Sequence, residues 1–430
     1  MNRKLMAVVG IAAAATLAVA GCSKSSGSSH VELTLSSWSL AQTPEFQKLA
    51  DGFHALHPDV TITLKEYDAN NYDTLLQADL AAQSAPDILT QKNFKNYYQY
   101  ATGGALLDIS DVVAGLPDTT NGKAAFAIDG KSYGVPYRQD AWVLYYNKDL
   151  FDKAGVAYPD GSWTWDDYAA AAKALTTGLK AKNSTATGAY EHSWQSTIQG
   201  FANAQTPGAD ITSGNYEYLK PWYQRALDLQ SAGAQPDLGT VTTNKLTYQA
   251  EFGKQQAAMM PMGTWYVATI LAQQKTGDAD TFNWGMAPVP QYDNTTTGLD
   301  KTPVTFGDPT GLAINAGISN DKVATAKEFL TWAAGPDAAK ILAGIGITPA
   351  NTADVVVQTY FAQAGVPGDD LSKFAWAKHD TKPENPVSKY TVGVQNLLNA
   401  LHTAVLSGSE GIDAAITDAQ NQAKATVLNQ

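Results

Sequence analysis

The chain has a single cysteine, Cys22, in 430 residues, so no disulfide can form within it and its fold must rest on packing. Charge is sparse, with 16% Asp, Glu, Lys and Arg, and it runs against cations: 29 basic residues face 41 acidic ones, a net of −12. A nucleic-acid binder displaces counterions with a basic face, so that class is disfavoured, and a polyanionic ligand is disfavoured for the same reason. Catalytic signatures are missing as well. There is no G-x-S-x-G, no H-E-x-x-H, no phosphate-cradling G-x-x-x-x-G-K and no G-x-G-x-x-G. The six histidines, at 30, 54, 57, 192, 379 and 402, lack the spacing of a metal site. Asp166-Asp167 and Asp369-Asp370 are sequence neighbours that diverge on a helix or strand and read as a solvated helix start and a loop. Two carboxylates brought together by the fold, as in a glycosidase, leave no mark in sequence.

Apolar residues make up 44% of the chain, ample for the cores of two or three domains. One apolar run opens it. MNRK is a positive leader, LMAVVGIAAAATLAVA a core too short and too rich in alanine to span a membrane comfortably, and VAGC a small-residue processing site. VAGC resembles the lipobox of bacterial lipoproteins, whose cysteine is the lipidated first residue; the other reading is an ordinary secretory signal that happens to end in Cys22. Loss of residues 1–21 takes Arg3 and Lys4 away and moves the net charge from −12 to −14. SKSSGSS then reads as a flexible tether between lipid and folded chain. The expected location is the outer face of the bacterial cytoplasmic membrane.

From His30 the pattern alternates strand and helix. VELTL (31–35) is strand-like, and Phe46, Leu49, Ala50, Phe53 and Leu56 recur at helical spacing. VTITLKEY (60–67) alternates as a half-buried strand, and YDTLLQADLAAQS leads through Pro86 to DILT (87–90). This order predicts an α/β layered fold with a mainly parallel sheet. Asp129-Gly130 marks a two-residue hairpin. Thr164 and Asp167 predict a capped helix start before the run to Thr176, with Trp163 and Trp165 packed at that start. Trp284 and Trp332 are also assigned to packing. Segments 291–303 and 364–386 read as surface loops, and two helices, near 388–407 and 411–428, close the chain.

YGVPYRQDAWVLYYNKDLFDKAGVAYPDGSWTWDDYAAAAKALT (133–176) resembles the central signature of the family 1 extracellular solute-binding proteins, the maltose-binding-protein-like lipoproteins of carbohydrate ABC importers. LTLSSWS, YDTLLQADLAAQSAPDI, AAMMPMGTW, WGMAPVPQ, FGDPTGLAI, AKEFLTWA and ITPA follow in family order, so the resemblance covers the whole chain after the leader. It implies a two-lobed, type II periplasmic-binding fold with hinge strands near 138–143, 304–311 and 347–352. The lobes would be 30–139 with 310–348, and 142–307 with 352–430. It also implies a monomer that captures sugar between the lobes by hinge closure and hands it to a membrane permease, with no catalysis, cofactor, metal or nucleic acid.

Candidate ligand contacts follow from strand geometry and from that resemblance. Arg138 and Asp140 fall on one face of a crossing strand, where both can meet sugar hydroxyls or pair with each other. Asp140 matches a ligand-contacting carboxylate of the family, and Trp265 a sugar-stacking tryptophan, with Tyr266 beside it. Trp38 and Gln91 lie just past predicted strands, at the carboxyl-end crevice where open α/β sheets bind ligands. Trp194 belongs to a cleft segment of the second lobe that also holds Glu191 and His192. Asp308, at the second crossing, is either structural or ligand-binding. His379 and Asp380 occupy a polar stretch that either overhangs the cleft or is solvated. Other readings are the same fold with a peptide, polyamine or organic anion, or a secreted carbohydrate-active enzyme.

Overall fold

The computed structural model describes residues 30–429. The leader, Cys22 and the 23–29 tether lie outside the described residues. In chain order the strands are β1 (Val31–Ser37), β2 (Val60–Glu66), β3 (Ile88–Gln91), β4 (Ala127–Ile128), β5 (Lys131–Ser132), β6 (Val135–Gln139) and β7 (Trp142–Asn147). They continue with β8 (Thr187–Ala189), β9 (Ala257–Gly263), β10 (Trp284–Ala287), β11 (Val304–Phe306), β12 (Pro309–Ile314) and β13 (Asp380–Lys382).

Two sheets organise the chain, one in the order β2-β1-β3-β12-β6 and the other β10-β7-β9-β8. In the first, β1 runs parallel to β2 and β3, but β12 is antiparallel to β3 and β6. The expected mainly parallel sheet is therefore mixed. β6 leads straight into β7 of the second sheet, and β12 arrives from β11, so neither joins the first sheet through a crossover helix, the connection that enforces parallel pairing.

Local sequence sets most of the elements. The helix Glu45–Leu56 buries Phe46, Leu49, Ala50 and Phe53, while Leu56, at its end, is 60% exposed. Asp129 and Gly130 both have positive φ, 51° and 78°, and close the β4–β5 hairpin as a two-residue turn of the primed kind requires. Thr164 accepts from the Asp167 backbone and Asp167 returns a bond to Thr164, a complete capping box on the helix Trp165–Ala181. The stretch 364–386 departs from expectation. It holds a helix, Asp370–Ala377, and β13. Asp369 caps that helix, and the Ser372 hydroxyl accepts from the Met286 backbone at 2.9 Å, so the polar residues serve caps and ties.

The cores follow the sheets. Beside a smaller cluster of Tyr67 to Ile128 with Ala313, one apolar cluster draws on Trp142 to Val289, Phe306 and the C-terminal helices, with Ala339 and Ala343; another draws on Leu33 to Tyr137 and Leu312 to Ile347, with Ala268. The chain passes between them through Asp140-Ala141, through Gly307-Asp308, and at 348–350, where the Ala350 N–H donates to Tyr137 O at 3.1 Å.

Gly188 in β8 lies under the helix Trp165–Ala181, where a Cβ would sit 1.9 Å from the Ala172 carbonyl oxygen. Gly188→Ala is expected to lower stability by about 1–3 kcal/mol or more, read as a reduced midpoint of denaturant unfolding. Gly368→Ala, with no atom within 4 Å, should leave the midpoint unchanged.

Candidate functional site

A cleft of about 850 Å³ opens between the two sheets. Its floor is the β6–β7 crossing. There the helix that starts at Glu45 points its first side chain at the strand. Glu45 Oε2 accepts from Arg138 Nη1 at 2.6 Å, and Glu45 Oε1 from the buried Tyr137 hydroxyl at 2.7 Å. Arg138 Nε donates to Asp140 Oδ2 at 2.5 Å, and Thr264 Oγ1 donates to Asp140 Oδ1 at 2.8 Å. Arg138 and Asp140 thus share a face, as alternation requires, and pair with each other while lining the cleft. Both are at least nine-tenths buried. Burial holds the Asp140 carboxyl above its ordinary range against the pull of Arg138, and the two carboxylates hold the guanidinium charged. Arg138 Nη2 has no hydrogen-bond partner among the described residues.

The side of the cleft formed by the second sheet is aromatic. Trp142 continues the alternation of 138 and 140; it stacks on Phe306 (4.9 Å, 25°) and meets Trp265 edge-on at 5.5 Å. Trp194 lies 5.5 Å from Tyr248, with the His192 ring against both. Facing them, Trp38 is held edge-on by Phe46 (4.9 Å) and Tyr72 (5.2 Å), and Lys92 Nζ lies 5.5 Å from its ring.

Trp38, Arg138, Asp140, Trp194, Trp265 and Asp308 all line this cleft. Four other expected residues do not. Gln91 is 98% buried at the end of β3, in the interior of its sheet; the chain reaches the crevice only at Lys92 and Asn93. Tyr266 opens the helix Tyr266–Thr276 one residue after Trp265, so it turns into the core, fully buried against Tyr145, Tyr248 and Phe252. His379 and Asp380 are drawn off by the β13–β11 pairing: His379 bonds Thr381 at 2.7 Å and the Trp376 carbonyl at 3.1 Å, and Asp380 pairs with Lys382 at 2.7 Å. Glu384 is the residue of that segment that reaches the cleft.

Asp308 lines the wall but its oxygens are taken. Oδ1 accepts from the Glu384 and Asn385 backbones at 3.0 and 3.2 Å, and Oδ2 from the Phe94 backbone at 3.2 Å and the Asn385 side chain at 2.7 Å. It fastens three segments at the second crossing. Sequence reading missed Trp142, which one more step of the 138–140 alternation would have found. Tyr248, Lys92 and Glu45 carried no such signal; the fold brings them in.

Six carboxyl groups line the cleft (Glu45, Glu66, Asp68, Asp140, Asp308 and Glu384, the last held protonated by burial) with two basic side chains, Lys92 and Arg138. Among the described residues no cluster of three or more His, Cys, Asp or Glu could hold a metal ion, and no helix is long and apolar enough to cross a membrane.

A family profile described as "Bacterial extracellular solute-binding protein" matches residues 37–340. The chain is 31% identical to the crystal structure of a sugar transporter from Rhizobium etli in an open conformation, with a TM-score of 0.76 over 92% of this chain and 99% of that one. It is 28% identical over 336 residues to the sn-glycerol-3-phosphate-binding periplasmic protein UgpB of Pectobacterium atrosepticum, 72% of this chain and 70% of that one. It is also 27% identical to a putative binding protein of Brucella abortus over 161 residues, 35% of this chain, a match that spans 37% of that protein's length.

Glu384 supplies a pH test. Burial first, and the neighbouring Asp308 second, push its carboxyl up to about 8 from the ordinary 4.5. The folded protein therefore holds this proton through a range where the unfolded chain has lost it, so the group's contribution to stability falls as pH rises from 4.5 to about 8. Glu384→Gln should flatten the melting temperature across that window and make the variant the more stable protein above pH 8.

Proposed function

The chain belongs to the bacterial extracellular solute-binding proteins, and on that premise we propose that it is the carbohydrate-capturing subunit of an ABC importer, taking an oligosaccharide into the cleft and delivering it to a membrane permease. One observation carries the reading: Trp142, Trp194, Tyr248 and Trp265 form an aromatic wall opposite a polar wall that holds Trp38, across one 850 Å³ cleft. A sugar ring has flat C–H faces that lie on aromatic rings and a rim of hydroxyls that need donors and acceptors. A cleft with both surfaces, and room for more than one ring, matches an oligosaccharide.

The proposed lobes are 30–139 with 310–348 and 142–307 with 352–430, a division supported by the two sheets and by apolar clusters that follow it except at Ala268, Ala339 and Ala343. Sugar that touches both walls only when they approach shifts an open–closed equilibrium toward the closed form, which presents both lobes to the permease. The protein acts by capture without chemistry; in support, Asp140 and Asp308 are engaged by Arg138, Thr264 and backbone N–H groups rather than free for proton transfer. Cys22 is the proposed lipid anchor, keeping a monomer at the outer face of the cytoplasmic membrane.

The similarity to a glycerol phosphate-binding protein favours an anionic solute as the second reading. Against it stands the cleft's charge: its one guanidinium is already shared by Glu45 and Asp140, and the carboxyl groups of Glu66, Asp68 and Asp308 border the space with a single lysine, Lys92. Neutral sugars suit this field better than phosphates or uronates.

The test is thermal stability of the chain from His30 onward with raffinose, maltotriose, arabinotriose, chitobiose and glycerol 3-phosphate. A ligand at about 100 times its Kd adds about 2.7 kcal/mol, enough to raise the melting temperature measurably. A rise with an oligosaccharide supports the reading; a rise with glycerol 3-phosphate alone overturns the carbohydrate assignment. Trp265→Ala or Trp194→Ala should each weaken binding of the active sugar by about tenfold to a hundredfold by calorimetry, the loss of a 1–3 kcal/mol apolar contact.

A further inference from the structure

His192 is the one imidazole on the cleft wall, and its surroundings decide where its proton sits. Its ring meets Trp194 edge-on (4.6 Å, 84°) and Tyr248 (5.5 Å, 72°), contacts that hold it from two sides. Its Nδ1 lies 2.8 Å from the Tyr190 hydroxyl oxygen, and that hydroxyl lies 3.2 Å from the Leu246 carbonyl. A carbonyl oxygen only accepts, so in the bond to Leu246 the hydroxyl is the donor. The Tyr190 oxygen is then left as an acceptor, and the proton that satisfies it is the one on His192 Nδ1. Burial pushes the imidazole pKa down to about 4, so the ring carries one proton at neutral pH. With that proton on Nδ1, Nε2 bears a lone pair. Nε2 has no hydrogen-bond partner among the described residues.

We propose that the Leu246–Tyr190 relay fixes His192, a residue of the cleft lining, as the Nδ1-protonated tautomer, and that its Nε2 serves as a permanent acceptor for a hydroxyl or N–H of the captured sugar. This assigns His192 as a specificity-determining residue and rests on the carbohydrate reading above. An acceptor that cannot turn donor discriminates strongly. A ligand that places an ether oxygen or a carboxylate at that point leaves two lone pairs opposed, whereas one that places a hydroxyl there is held.

The experiment reads the histidine side-chain nitrogens of the purified, ligand-free protein by nitrogen-15 NMR, with His192→Gln identifying the His192 signals among the six histidines. The expected pattern is a protonated Nδ1 and a bare Nε2, unchanged between pH 5.5 and 8. Tyr190→Phe should shift that pattern toward Nε2–H. Raffinose, maltotriose, arabinotriose and chitobiose serve as binding probes. A probe that binds the wild type should move the Nε2 resonance and bind His192→Ala about tenfold more weakly, with the glutamine variant, which keeps a side-chain acceptor, recovering part of the loss. A protonated Nε2 in the free wild-type protein, or unchanged affinity in His192→Ala, overturns the proposal. If none of the four probes binds, the carbohydrate reading falls, and the tautomer of the free protein still decides this assignment.

Discussion

Everything in the cleft is built around one buried guanidinium. Arg138 lies at the end of the first crossing strand, 7% exposed, where an unpaired charge would cost several kcal/mol. Its partners come from different parts of the fold. Glu45 stands in the first turn of a helix packed on the first sheet, and Asp140 lies two residues on, tied by Thr264 to the end of β9 in the second sheet. Neither side can leave without stranding charge, so the pair fixes the register at which the chain steps between sheets. It also has a local excess of one carboxylate. The helix N-terminus softens that excess at Glu45, and the hydroxyls of Tyr137 and Thr264 take up the remaining oxygens.

Once the floor is set, the two walls differ in kind. The second sheet contributes rings that already lean on one another, Trp142 on Phe306 and Trp265, Trp194 on Tyr248, so their orientations are held by packing and not by a ligand. The first wall offers Trp38 with Lys92 above it, among mainly polar side chains. In the proposed capture a sugar face would meet pre-placed apolar surface on one side and adaptable hydrogen-bonding groups on the other. In the proposed closure the rigid wall supplies the seat, and the polar wall supplies contacts made only when the lobes meet.

The fold was legible where a local rule has one solution. Asp129-Gly130 can close a two-residue hairpin because both residues tolerate positive φ, and Thr164 with Asp167 caps a helix whatever surrounds it. The ordered motifs carried the family across the chain. Site residues were legible where strand alternation reaches, which gives 138, 140 and one step further 142, and where a strand end or a family motif marks the crevice, which gave Trp38, Trp194, Trp265 and Asp308. Beyond that, one residue decides the outcome. Trp265 lines the cleft and Tyr266 is core because a helix begins between them; Gln91 is buried and Lys92 is not because β3 ends there. Sequence places such a boundary only to within a few residues. The 364–386 stretch was hidden for another reason: Asp, Ser and Gly serve caps and loops alike, and only the Ser372 tie to Met286 distinguishes them.

Asp308 shows how the second crossing complements the first. Its four accepted bonds come from Phe94 beside the first sheet and from Glu384 and Asn385 beyond β13, so one carboxylate gathers both sides at a two-residue link. Bonds so close to a pivot change length little when the bodies on either side rotate. The exposed contact between Lys95 Nζ and Asn396 Oδ1, 2.8 Å long, also joins the two proposed lobes. Polar groups near the crossings therefore hold geometry, and in the proposed capture the aromatic wall is left to meet the ligand. That division explains why the most charged residues of the cleft, the ones sequence singles out first, are the ones most fully occupied with the protein itself.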